Sequence, residues 1–481
     1  VTIALVALAI VGIIAMAGLS IDVGTLYQAS AEAQRAADAG ALAAARTMSM
    51  LSVTGDPISG PSSGTWADVC GGDTSPASLA AKTVAAKNPI SGASINPSVT
   101  VTYSVTAGAQ STDCTGVGSL RFGVNPLVTV VVQQTNLPTY FARVWGRSGN
   151  TVSATATAEV FNPSNSATYA GNMVPVQPRC VKPWMVPNYE PWSPALCTTT
   201  TPCTPFVDNT TGAIQNSGMQ SVNPGSVIGQ RFWLLPDCTV SAAGTPCSLR
   251  SSPPQPNYVN AGDVSVPPTP NLEYLPGSAA FASIAVPSDG TTACTNVAGG
   301  SQYSQAIAGC DQLTQYQCGV AGATTPNQVD LSENPGSGDT MNGVQCLIHE
   351  QNISLTGPQG QDVLLPFGTS SGSLPPNYPF QIQVGTSSPL RSAGIGDGTL
   401  ITSSNSIVSI PIYDGNNPIS GTGTSSVTIV GFLQVFINVV DAYGNMYVTV
   451  MNVSGCGNGV VSPTSVMNGT SSVPVRLVTP Q

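Results

Sequence analysis

The sequence predicts an α+β protein: a long N-terminal apolar and alanine-rich helix carrying a small α+β domain and a larger β-rich, disulfide-containing outer region. Three observations lead there. Residues 1–21 carry no charge, and no proline interrupts the chain from there to residue 47. Period-two alternation marks strands at 98–106, 127–133 and 151–161, with a more apolar set beyond residue 406. Between these sets, residues 162–395 hold nine of the twelve cysteines and most of the prolines. The implied units are 1–47 (helix), 48–161 (α+β domain), 162–395 (Cys/Pro-rich irregular β region) and 396–481 (C-terminal β region).

The helix comes first. Val1–Ile21 is just long enough to cross a hydrocarbon core of about 30 Å. Asp22 ends the apolar run but not the helix, since residues 22–47 contain only Gly24 and Gly40 as breakers. At ~1.5 Å per residue the rod is about 70 Å long. Along its second half Asp22, Leu26, Ala29, Ala33, Ala36, Gly40, Ala43 and Thr47 alternate in steps of four and three. Such a seam of small side chains lets a neighbouring helix, of this chain or another, approach closely. Glu32, Arg35 and Asp38 form an expected surface ion network of little energetic weight.

Along the rest of the chain, Leu79-Ala80-Ala81 and Val84-Ala85-Ala86 recur at helical spacing, giving a helix over 78–87 that Asn88-Pro89 stops. Strands follow at 98–106, 120–124 and 127–133, then a two-turn helix at 138–145 and a strand at 151–161. Residues 406–413, 426–441 and 447–453 read as strands, the last two joined by the Ala442-Tyr443-Gly444-Asn445 turn. Residues 472–478 offer either an edge strand or a strand for another subunit.

Composition sets the compartment. Only 7% of residues are charged, with three lysines, one histidine, 50 glycines and 40 prolines. Thirteen basic residues against 23 acidic ones leave no basic patch for a phosphate backbone, which excludes nucleic acid as a partner. The cysteines are Cys70, Cys114, Cys180, Cys197, Cys203, Cys238, Cys247, Cys294, Cys310, Cys318, Cys346 and Cys456. An even count, no Cys-X-X-Cys pair and a single imidazole favour disulfides over zinc, and hence an extracytoplasmic setting. Cys70–Cys114 and Cys238–Cys247 are plausible local pairs.

Two stretches resemble a known family. Ala17–Arg46, with its Asp22-Val23-Gly24 exit, Tyr27 and the Ala36–Ala45 block, is similar to the N-terminal segment of TadE/TadG-like proteins of the bacterial Flp (Tad) pilus assembly system. Leu127–Val160, a strand running into Pro138-Thr139-Tyr140-Phe141-Ala142-Arg143 and then into a Val-Ser-Ala-Thr-Ala-Thr strand, resembles the same proteins. The resemblance implies partnership with the Tad secretion and assembly machinery, insertion in the inner membrane before assembly, and a cell-surface or extracellular location. Leu5 stands where pilins processed by prepilin peptidase carry glutamate. The first positive charge is Arg35, so a basic leader is expected to have been removed, or the sequence to start after it.

Little catalytic chemistry is visible. His349-Glu350 is the only His–acid neighbour pair, and no Gly-X-Ser-X-Gly elbow accompanies it. Asp397, Asp414 and Asp441 sit in Asp-Gly-type turns that could hold structural calcium, although such turns are ordinary turn chemistry. No other cofactor is expected. Asn209, Asn352, Asn452 and Asn468 begin glycosylation sequons. The expected function is non-enzymatic: a subunit of a helical homopolymer, copies of this chain bundled through the N-terminal helix, because moving that helix from lipid to a helical core costs little. The alternatives are a membrane-anchored accessory protein of the pilus machinery, or an adhesin stacking glycans on Trp184, Tyr189, Trp192 and Phe206.

Overall fold

A computed structural model describes residues 2–50, 69–92, 97–104, 110–117, 126–141, 149–160, 174–178, 181–192, 203–209, 214–216, 227–236, 238–239, 248–249, 270–277, 284–288, 290–309, 314, 316–318, 327–330, 338–354, 357–365, 381–401, 404–415, 419, 424–455, 467–469 and 475–478. The expected strand at 120–124 and residues 142–145 of the expected helix at 138–145 lie outside these residues, and residues 138–141 form a bend after the strand, not a helix.

Helix α1 runs unbroken over Thr2–Met50. Its two halves meet different surroundings. The described side chains before Asp22 are exposed or half-exposed, apart from Gly18, whereas from Asp22 onward one face is buried. Helix α2 (Pro76–Ala86) begins two residues earlier than expected. Pro76 explains this, since its fixed φ suits a first helical turn and its missing N–H is no loss there.

Strands β1 (Ser98–Ser104), β2 (Leu127–Leu137) and β3 (Asn150–Val160) form an antiparallel meander. Helix α1 packs across β2 and β3 and against α2. The buried face of β3 is lined by Ala154, Ala156 and Ala158, so alanines meet alanines and the helix lies close on the sheet. The Tyr103 hydroxyl lies 2.8 Å from Ser78 Oγ, tying β1 to α2, and burial pushes that phenol above its ordinary value. Cys70 and Cys114 are disulfide-bonded across the same unit.

The outer region is built on a barrel. Its strands are β4 (Trp184–Pro187), β5 (Arg231–Pro236), β6 (Asn271–Pro276), β7 (Ile407–Tyr413), β8 (Ile429–Val440) and β9 (Met446–Gly455). Pairing runs β7–β4–β6–β5–β9–β8 and returns to β7, which closes a ring of six, and the sheet branches on from the start of β8 through the short strands Tyr316–Cys318, Val174–Pro178 and Met467–Gly469. The β8–β9 hairpin turns at Asp441–Asn445, where the Asp441 carboxylate accepts the N–H groups of Tyr443 and Asn445 at 2.8 and 2.9 Å. All twelve residues of β8 are buried, because the strand is covered outside the ring as well as inside it. Finally, β10 (Val475–Val478) returns to pair antiparallel with β3 at the edge of the first sheet.

The barrel draws strands from both sides of residue 395, β4–β6 before it and β7–β9 after it. Among the described residues of 162–395 there are also three α-helices: α3 (Thr292–Ala298), α4 (Gln302–Ala308) and α5 (Asp339–Ile348). The Thr291 and Ser301 side chains cap α3 and α4 by accepting the N–H of Cys294 and Ser304. A Cys294–Cys346 disulfide joins α3 to α5. Cys203 is likewise disulfide-bonded. The Cys238–Cys247 pairing and the remaining cysteine side chains lie outside the described residues.

Candidate functional site: the junction of stem and head

The change of surroundings at Asp22 is built by a contact 118 residues away in sequence. Asp22 is 4% exposed, and its carboxylate accepts the backbone N–H of Tyr140 at 2.9 Å and of Phe141 at 3.1 Å. One helical turn below, the Phe141 ring lies directly on the backbone of Gly18, where an added Cβ would come within 2.7 Å of Cγ. A glycine and an aspartate four residues apart thus clamp the turn after β2 onto α1. Hydrogen bonds from two backbone donors to one buried carboxylate are charge-assisted and orient the turn.

Above the clamp, the small-residue seam is filled by the chain itself. Ala29, Ala33, Ala36 and Gly40 are buried, and Ala43 is half-buried. At Gly40 an added Cβ would stand 3.2 Å from the Ala81 carbonyl oxygen and 3.4 Å from the side chains of Ala85 and Val130. These seam positions therefore face α2 and the sheet. Amide partners join the acidic residues of this face: Gln28 donates to Glu32 and Gln34 to Asp38, while the Arg35 charge acts on Glu32 as a minor influence. Glu32 also accepts the Ser91 N–H at 2.6 Å, the main reason its carboxyl titrates below the ordinary value. At its far end α1 joins the barrel, where Asn452 Nδ2 donates to the Ser49 carbonyl at 2.6 Å. Asn452 is fully buried, so its sequon is inaccessible in the folded chain.

The other sequence candidates are placed as follows. His349 is buried at the C-terminal end of α5, with Nε2 3.0 Å from Asn405 Nδ2. The neighbouring Glu350 is buried, and desolvation pushes its carboxyl up to about 8. Both face structural partners. Trp184 and Phe206 are fully buried, while Tyr189 and Trp192 pack half-buried on the same core. Trp184 Nε1 donates to the Tyr303 hydroxyl, and Trp192 meets Phe206 edge to face at 6.3 Å. These rings are not laid out as a sugar platform. Asp441 closes its own turn, Asp414 is buried, and Asp397 is exposed. Among the described residues no three His, Cys, Asp or Glu side chains converge on a metal position.

A cavity of about 430 Å³ lies between the end of α1 and the outer region, lined in part by Arg46, Lys182, Asp362 and Asn405. Its charged groups bind the fold: Lys182 Nζ donates to the carbonyls of Ile307 and Gly309, both at 2.7 Å, and Asp362 accepts from Gly385 N–H and Ser404 Oγ. The clamp itself was hidden from sequence reasoning by the distance between its halves. The visible signal was a glycine and the first charge of the chain one turn apart.

Fold and junction together define a stem-and-head protein: an apolar helix whose described side chains before Asp22 are bare except at Gly18, locked at Asp22 to a disulfide-bonded α+β head. Residues 2–47, nearly the whole of α1, match the family model described as putative Flp pilus-assembly TadE/G-like. The similarity covers helix α1 alone. The similar stretch at Leu127–Val160 lies beyond that match. Neither a curated protein nor a solved structure matches the chain.

Proposed function

We propose that the chain is a membrane-anchored, non-enzymatic component of the Flp/Tad pilus assembly apparatus, with the stem in the bilayer and the head on the extracytoplasmic side. The observation that carries this reading is the division of α1 at Asp22. Ten large apolar side chains from Ile3 to Ile21 are at least half exposed and point to every side of the helix. Leaving them in water forgoes about 1.5–3 kcal/mol each, in total more than the ~5–15 kcal/mol net stability of a typical domain. A helix that is apolar all round is covered on all sides by lipid or by dry protein. The head's disulfides support an oxidising compartment.

A homopolymer is the second reading, favoured by the same bare stem. It loses one support, because Ala29, Ala33, Ala36 and Gly40 are covered by the chain's own α2 and sheet and are not free to set register between copies. Fractionation of cells expressing the full chain separates the two. The anchored reading expects the chain in membranes after shearing and alkaline carbonate, with release only by detergent. Regular filaments of this chain in detergent-free sheared material would overturn it in favour of the polymer.

A further inference from the structure

The clamp at the junction also fixes two aromatic side chains at a defined depth. Tyr140 is 60% exposed and Phe141 38% exposed, although both backbone N–H groups are held by the buried Asp22 carboxylate. Phe141 rests at the level of Gly18, four residues and so about 6 Å along the helix axis into the uncharged run. Ile21 and Val23, one turn or so above this level, are exposed. The apolar surface of the stem is thus continuous with the turn of the head that grips it. Tyr and Trp are enriched where a bilayer's headgroups meet its acyl chains, because each joins an apolar ring to a polar group; Tyr140 is of this kind, and Phe141 adds an apolar ring beside it. A group held some 5–10 Å below the boundary lies in that zone.

We propose that the Tyr140–Phe141 turn is a second membrane contact, a foot of the head that sits in the headgroup–acyl boundary and fixes the head's height and tilt on the bilayer. This rests on the reading of residues 2–21 as a bilayer-embedded stem. The occupant is phospholipid, since a stem surrounded by lipid leaves the turn packed on Gly18 in the same medium. Asp22 makes the foot rigid: the turn cannot withdraw without uncovering the carboxylate.

The test is photo-crosslinking of the full chain in native membranes, with p-benzoylphenylalanine placed singly at Leu5, Tyr140 or Ile353 and adducts identified by mass spectrometry. Ile353 is exposed on the outer region and serves as the reference. The expected result is lipid adducts at 5 and 140 and none at 353. Lipid at 5 with none at 140, or a protein adduct in its place at 140, overturns the foot and leaves the anchor standing. Absence of lipid at 5 overturns the anchor reading, and the foot with it. Tyr140 is exposed, so its replacement leaves the fold intact. As a second variant, Phe141→Asp at the lipid-facing ring is expected to lower the adduct yield at 140 while leaving that at 5 unchanged; an unchanged yield at 140 counts against the foot.

Discussion

At Asp22 one carboxylate satisfies two backbone donors of a distant turn, and its removal has a calculable consequence. Asp22→Ala leaves the N–H groups of Tyr140 and Phe141 without their acceptor, at a cost of about 1–3 kcal/mol. Asp22→Asn keeps one acceptor oxygen and is expected to cost less. Hydrogen exchange at residues 139–141 of the detergent-solubilised chain measures this directly: protection should fall in the order wild type, Asn, Ala. Equal protection in all three would show that the turn is held by something else. A second residue-scale prediction concerns pH. Burial pushes both Glu190 and Glu350 up to about 8, from an ordinary value of 4.5. Between those limits the folded chain binds more protons than the unfolded one. Stability therefore falls as pH rises from about 4.5 to 8 and levels off above, by at most about 1.4 kcal/mol per pH unit for each group. Glu350→Gln, neutral at every pH, should raise the urea midpoint at pH 8 more than at pH 5.

Among the elements, α1, α2 and the meander depend on small side chains at the points of closest approach. Gly40→Leu would drive a branched side chain into the Ala81 carbonyl and Ala85. Overpacking of this kind costs about 1–3 kcal/mol, and thermal unfolding should show it as a loss of head stability rather than of membrane binding. The Cys70–Cys114 bridge closes a separation of 44 residues. On the chain-entropy account its replacement by a Cys70→Ala/Cys114→Ala pair removes about 4 kcal/mol from the head, readable as a lowered denaturation midpoint. Most of these elements were legible in the sequence. An unbroken alanine-rich run gives α1, period-two alternation gives β1–β3, and a long apolar pair around Tyr443-Gly444 gives the β8–β9 hairpin. Helices α3–α5 were not legible: their segments are seven to ten residues long, too short to show a repeated apolar stripe, and α3 and α4 start at Thr and Ser caps inside a stretch that otherwise reads as loop.

For the whole molecule, the sequence concealed closure. The barrel joins Trp184–Pro187 in parallel to Ile407–Tyr413 across more than two hundred residues, and four-residue strands carry too little periodicity to announce such a partner. Of the two alternatives expected for 472–478, the structure shows the edge strand, β10 on β3; its partner was not legible, since either a neighbouring chain or this chain's own sheet could satisfy such a strand. The seam was legible as a seam, but its spacing is the same whether a second copy or the chain's own head fills it. Here the head fills it, and the molecule divides at Asp22 into a stem whose apolar side chains are bare and a head that covers its own seam. Sedimentation of a secreted, oxidised chain of residues 22–481 in detergent-free buffer tests that division most directly. The account predicts a folded monomer. A chain that aggregates or polymerises through the Ala29–Ala43 face would show that the head does not cover its own seam, and would contradict it.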